Sequence, residues 1–196
     1  MALLPAGNLL GDLGVSPQAH WFVGSKAPWY DIADSLPQYD NYPPEFGTSG
    51  VRGPEGYRRQ GVVTGSCLCG AVAYEVTGEP TRVANCYCSR CRRSRSAAHG
   101  SNFFYPLEAF RFVRGEKRVV DYQFPEARFF GSAFCDQCGA LVPRRSQARG
   151  GVVVPGGSLD VDPGARPMMH VCVASKAPWI HIHDTTPQFA ELPPAR

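Results

Sequence analysis

Three features of the sequence predict an all-β fold. The 196 residues include 18 prolines and 21 glycines, a density of turn formers that leaves little room for long helices. Several runs of four to seven residues are β-branched or aromatic, and some of them alternate. No strand pattern is followed by a helix pattern, as a parallel sheet with helical crossovers requires.

Taken in chain order, the strand candidates are "AVAYEV" from Ala71, "FRFV" from Phe110, "RVVDYQF" from Arg118, "RFFGSAF" from Arg128, "GVVVP" from Gly151, "HVCVA" from His170 and "WIHIH" from Trp179. Turn signals separate them: "TGEP" at 77, "RGEK" at 114, "PGG" at 155 and "DPGARP" at 162. One short helical turn is expected after Cys88, where "SRCRRSRSAA" lacks both Gly and Pro. The layout suits antiparallel hairpins.

Apolar residues at 43% and charged residues at 19% are ordinary for a globular chain, and a net charge of +3 selects no partner. The start, "MALLPAGNLLGDLG", has no basic leader, and Pro5 and Gly7 break its apolar stretch too early for a signal peptide or a membrane span. The cytoplasm is the expected address, with no membrane contact. In a reducing compartment eight cysteines point to metal or thiol chemistry rather than to disulfides.

The chain repeats itself at an offset of 150 residues without a gap. Pro5, Gly7, Leu9, Asp12, Gly14, Pro17 and His20 match Pro155, Gly157, Leu159, Asp162, Gly164, Pro167 and His170. The register continues through Ser25 to Trp29 with Ser175 to Trp179, Asp34 with Asp184 and the Pro-Gln pairs at 37 and 187, and ends at Pro43-Pro44 and Pro193-Pro194. This spacing is too long for a solenoid, so a duplicated domain is the better account. Residues 1–46 are then a partial repeat, the last third of such a unit; 47–60, rich in Gly and Arg, are a linker; 61–196 are a complete domain. A short duplicated tail serving as a flexible arm is the other account.

Seven of the cysteines fall into three groups: Cys67 and Cys69; Cys86, Cys88 and Cys91; Cys135 and Cys138. Two pairs complete a closed four-thiolate zinc site, and three thiolates leave a tetrahedral zinc one open position, the arrangement suited to chemistry. His99 is the nearest candidate for a fourth ligand, which would make both sites structural. Spacing alone also allows Cys67 and Cys69 to join the triplet, and iron to replace zinc.

"GSCLCGAVAYEV", "NCYCSRCRR", "GSAFCDQCGA" and "HVCVASKAPWIHIHDTTPQF" together resemble the glutathione-dependent formaldehyde-activating enzyme family, which also contains centromere protein V. The resemblance covers Gly61 to Pro194, and Leu4 to Pro44 is similar to the family's C-terminal segment a second time. It implies a β-tent fold, two Zn(2+), a structural one on Cys67, Cys69, Cys135 and Cys138, and a catalytic one on Cys86, Cys88 and Cys91. It also implies a carbon-sulfur lyase that condenses formaldehyde with glutathione to S-hydroxymethylglutathione. The triplet departs from the family's commonest Cys-His-Cys form at Tyr87, and Ser96 stands where glycine is frequent.

On this reading a thiol entering the open metal position is deprotonated and attacks a carbonyl, so the partners are small thiol and aldehyde substrates. Arg92 and Arg93, favoured over Arg90 and Arg95 because they follow a ligand, would pair with the glutathione carboxylates; the other reading is a solvated basic face. His99 is the best acid-base candidate, with Tyr87 and Ser101 behind it. His181 and His183 read as an outer polar face, Cys172 as a buried core cysteine matching Phe22, and Trp29 and Trp179 as core anchors.

A different class remains open: a zinc-stabilised binding or scaffold module whose arginines, with Arg144, Arg145 and Arg149, meet phosphates. No aromatic interleaving supports nucleic acid. The partial repeat also suggests an arm that needs a sheet, its own domain's flank or the edge of another subunit in a homo-oligomer.

Overall fold

A computed structural model of the chain describes residues 3–47, 55–128, 130–147 and 150–193. Phe129, Arg149, Pro194 and half of the expected linker, 48–54, lie outside these. Strands dominate the regular structure, with one α-helix among the described residues, in agreement with the all-β expectation.

Strands β1 (His20–Trp21) and β2 (Gln38–Tyr39) precede β3 (Val63–Ser66), β4 (Ala73–Val76) and β5 (Arg82–Cys86). Helix α1 (Ser89–Arg95) follows at the expected place. Then come β6 (Gly100–Pro106), β7 (Phe110–Arg114), β8 (Val119–Gln123), β9 (Gly131–Cys135), β10 (Leu141–Val142), β11 (Arg144–Ser146), β12 (Gly151–Pro155) and β13 (His170–Val171). They form a central five-stranded sheet in the order β11-β12-β6-β5-β13, two three-stranded sheets, β3-β4-β7 and β10-β9-β8, and the pair β1-β2.

Two expectations are corrected. "WIHIH" is not a strand, and β13 keeps only two residues of "HVCVA" because Cys172 turns into the left-handed region at φ 57°. Pairing is not wholly antiparallel either: β13 runs parallel to β5 and β1 parallel to β2. Neither pair has a helical crossover, so the pattern that usually announces parallel strands is missing. The strands "VTGS", "RVANC" and "GSNFFYP" went unmarked because Gly, Asn and Ser interrupt their apolar alternation.

Period-two alternation gives the central sheet two faces. Val83, Phe103, Tyr105, Val152 and Val154 point into the main core, with Tyr74, Val76, Phe110 and Trp29. Ala84, Cys86, Asn102, Phe104 and Val153 line a cavity on the other side.

Trp29, only 5% exposed, comes from the N-terminal segment and meets Phe103 edge to face at 5.4 Å. Gly7 lies so close to the Ala97 backbone that no Cβ fits there, and its carbonyl accepts from Arg92 at 3.3 Å. The segment therefore packs on the chain's own domain. Residues just before β3 are also pinned: Tyr57 Oη at 2.7 Å and Arg59 at 3.0 Å donate to Glu75, a carboxylate that is 3% exposed and also held by Arg111.

Segments 20–39 and 170–189 have the same local structure. His20 N–H donates to Pro37 O and His170 N–H to Pro187 O, both at 2.8 Å. Phe22 and Cys172 share the left-handed corner at φ 60° and 57°, and each is followed by a short 3-10 turn. His20 Nε2 meets the Asp34 carboxylate at 2.9 Å, as His170 Nε2 meets Asp184.

Candidate metal centres and cavity

The first cysteine group is built by two turns. Cys67 follows β3 and Cys69 lies in the same turn; Cys135 ends β9 and Cys138 lies in the turn after it. Gly70 and Gly139 close these turns at φ 72° and 71°, a region that costs a Cβ-bearing residue roughly 1 kcal/mol. Backbone N–H groups of Val72 and Gln137 donate to the sulfurs of Cys67 and Cys135 at 3.2 and 3.4 Å. The four Sγ atoms lie within 4.8 Å of one another, with Cys67 and Cys69 at 3.6 Å and Cys69 and Cys135 at 3.9 Å.

The second group joins β5 to α1. Cys86 is the last residue of β5, Cys88 caps α1, accepting from Cys91 N–H at 3.4 Å, and Cys91 sits in the first turn. Their three sulfurs also lie within 4.8 Å of one another. Hydrogen bonds from Cys86 and then Cys91 hold the Cys88 thiol down, whereas those with Cys88 and Cys91, followed by burial, push Cys86 up. All eight cysteines are free of disulfides. Both donor sets suit a soft tetrahedral cation such as zinc, the first with four sulfurs and the second with three.

The triplet lies in the wall of a cavity of about 460 Å³. Phe104, Phe130 and Val171 supply apolar surface there, and Arg82, Arg90, Arg95, Arg128 and Arg144 line it together with one acidic side chain, Glu191. Arg95 donates to Asn102 at 2.7 Å, and the guanidinium of Arg90 stands 5.5 Å from the ring centre of Phe124. The cavity therefore joins a sulfur cluster to a strongly cationic lining, a combination suited to an anionic ligand with a soft donor atom.

Several expected site residues lie elsewhere. His99, Tyr87 and Ser101 belong to the core side of the central sheet, as alternation from Cys86 and Asn102 requires. His99 stacks on Tyr87 at 5.0 Å and lines a separate cavity with Trp29 and Ser158. Burial, and next the neighbouring His170, lower its pKa to about 4, so it is neutral at pH 7. Tyr87 Oη meets His170 Nδ1 at 3.0 Å, and Ser101 Oγ donates to Asn85 at 2.8 Å. His99 thus lies outside the set of three close sulfurs and outside the lining of their cavity. Arg92 is buried against Gly7 and Arg93 is exposed, and neither lines the cavity; Arg90 and Arg95 do.

Ser96, where glycine was expected, caps α1 in the left-handed region at φ 51°, which explains a preference for glycine there. His181 and His183 are exposed, as expected of an outer face. Arg144 and Arg145, offered for phosphate, pair instead with Asp121 and Glu116. Cys172 is buried as expected, but it packs on Cys86 and Cys91. The alternation Arg82, Ala84, Cys86 in "RVANC" carried the signal that would have put Arg82 on the sulfur face.

A family model described as glutathione-dependent formaldehyde-activating enzyme matches residues 62–175, more than half of the chain. A solved structure, a Rhodobacter sphaeroides protein, is 31% identical over 53% of this chain and 97% of its own, with a TM-score of 0.41. No helix among the described residues is long and apolar enough to cross a membrane.

Proposed function

Since the chain belongs to the glutathione-dependent formaldehyde-activating enzyme family, we propose that its cavity joins a thiol to an aldehyde carbon, forming S-hydroxymethylglutathione or a close analogue, and catalyses the reverse. The observation that carries this reading is the three-sulfur cluster lining a cavity rich in arginine. Cys86, Cys88 and Cys91 would hold a catalytic zinc, and Cys67, Cys69, Cys135 and Cys138 a structural one. Zinc at the triplet supplies charge that lowers the pKa of an incoming thiol and so makes the nucleophile.

The chain's own residues do the rest. Guanidinium groups suit carboxylates geometrically, and glutathione carries two, so Arg82, Arg90 and Arg95 orient it with its sulfur toward the cysteines. Phe104 and Phe130 give the cavity apolar walls. Attack on formaldehyde forms one C–S bond as the carbonyl π bond opens, and the oxygen takes up, through solvent, the proton that the thiol gave up. The tandem match at 150 residues is best read as a partial duplication whose complete copy holds the chemistry.

Exchange between formaldehyde, glutathione and their adduct, followed by NMR on zinc-loaded protein, tests the proposal. Exchange faster than the uncatalysed rate, lost in Cys88→Ala while the metal at the four-cysteine cluster is retained, is expected. Equal rates with and without protein would overturn it.

A further inference from the structure

Seven cysteines form the two donor clusters, and Cys172 is the eighth. In a regular strand it would face away from its neighbour Val171. The left-handed corner at φ 57° cancels that alternation, and Val171 and Cys172 both line the cavity of the triplet. Val171 is the Cα partner of Cys86 across the parallel β5-β13 pair, so Cys172 lies one residue beyond that pairing. It is 9% exposed and packs against Cys86 and Cys91, with its thiol within hydrogen-bonding reach of Cys86.

The corner does not need sulfur. Its counterpart in the first copy is Phe22, which packs edge to face on Tyr42 at 4.7 Å. Nor is Cys172 a member of the mutually close set, which is the triplet alone. Of the three donor cysteines its thiol hydrogen-bonds to Cys86, the relation of a thiol partner rather than of a fourth ligand.

We propose that Cys86 and Cys172 are a modification site: a hydroperoxide entering the cavity joins them in a disulfide and removes one donor from the three-sulfur centre. Cys86, a thiolate when it ligates the metal, attacks the peroxide, whose O–O bond breaks, giving the sulfenic acid and, after protonation, an alcohol or water. The Cys172 thiol then attacks the sulfenic sulfur, the S–S bond forms and water leaves. Sulfur is oxidised and peroxide reduced, two electrons in all. Cys88 and Cys91 remain, too few to retain the metal tightly, so oxidation silences the centre and a dithiol restores it. The metal consequence rests on the ligand roles given above; the disulfide does not.

Metal-loaded full-length protein is treated with stoichiometric hydrogen peroxide, alkylated and mapped by mass spectrometry, while a chromogenic chelator follows released metal. A Cys86–Cys172 cross-linked peptide is expected, together with release of about one metal equivalent per chain, both reversed by dithiothreitol. Cys172→Phe, which borrows the residue of the first copy, should instead carry Cys86 on to the sulfinic acid, beyond rescue by dithiothreitol. The proposal is overturned if Cys172 stays fully alkylatable at peroxide doses that oxidise Cys86, or if Cys86 pairs with Cys88 or Cys91. Cross-linking without metal release would leave the disulfide standing and remove the ligand role instead.

Discussion

The segments 20–39 and 170–189 fold alike but are connected differently. In both, a histidine leads a two-residue strand, a left-handed corner follows, and an aspartate fourteen residues on holds the imidazole. In the second, β13 pairs with β5, Tyr87 reaches His170 Nδ1, and the corner leans on Cys86. In the first, β1 pairs among the described residues only with β2, the His20 side chain is 24% exposed, and the corner meets Tyr42. The comparison separates two things that sequence similarity merges. The path of the backbone is encoded within the segment, whereas its relation to the sulfur cluster depends on which strand stands beside it.

The largest expected effect tests whether the first segment is integral to the core. Trp29→Ala should destabilise the protein by about 3–5 kcal/mol in urea unfolding, because a buried aromatic ring is lost from the main core. An unchanged midpoint would make the segment an appendage.

The histidines come next. His170→Ala, which strands the Tyr87 hydroxyl in a buried site, should cost about 1–3 kcal/mol and disturb the turn between Cys86 and Cys88. His20→Ala should cost less than about 1 kcal/mol, since its ion pair is partly exposed. Equal losses would break the comparison.

A third effect, read from the acid limb of the stability curve, separates both segments from the chain between them. Hydrogen bonding from Tyr57, then from Arg111 and Arg59, lowers Glu75 from 4.5 to about 2. Its folded pKa is depressed, so its contribution is complete above pH 4.5 and disappears as the pH falls toward 2. Glu75→Gln should flatten the acid limb of the stability curve between those values and leave the two histidine variants ranked as before.

How far the sequence could be read follows from the range of each signal. Cysteine spacing is local and chemically specific, and the groups it suggested are the groups whose sulfurs converge. The helix after Cys88 was equally legible, because nothing in "SRCRRSR" resists it. The side of the sheet was not legible for His99: nearness to Cys91 in sequence says little once β6 turns alternate residues to opposite faces. The same holds for Arg92 and Arg93, which follow Cys91 along α1 but do not line the cavity. The parallel pairing of β5 with β13 joins residues about 85 apart and left no local mark.

The left-handed corner has one more consequence, for protein engineering. Because both segments hold φ near +60° with Phe22 at one tip and Cys172 at the other, the residue there should be exchangeable without rerouting the chain. Asparagine, which tolerates this region better than most residues, would be the gentlest replacement. The tip of the second copy thus works as a replaceable bit in a fixed chuck, aimed at whatever occupies the space over Cys86. A ladder of side chains there would vary the room for substrate while leaving every sulfur of the triplet in position.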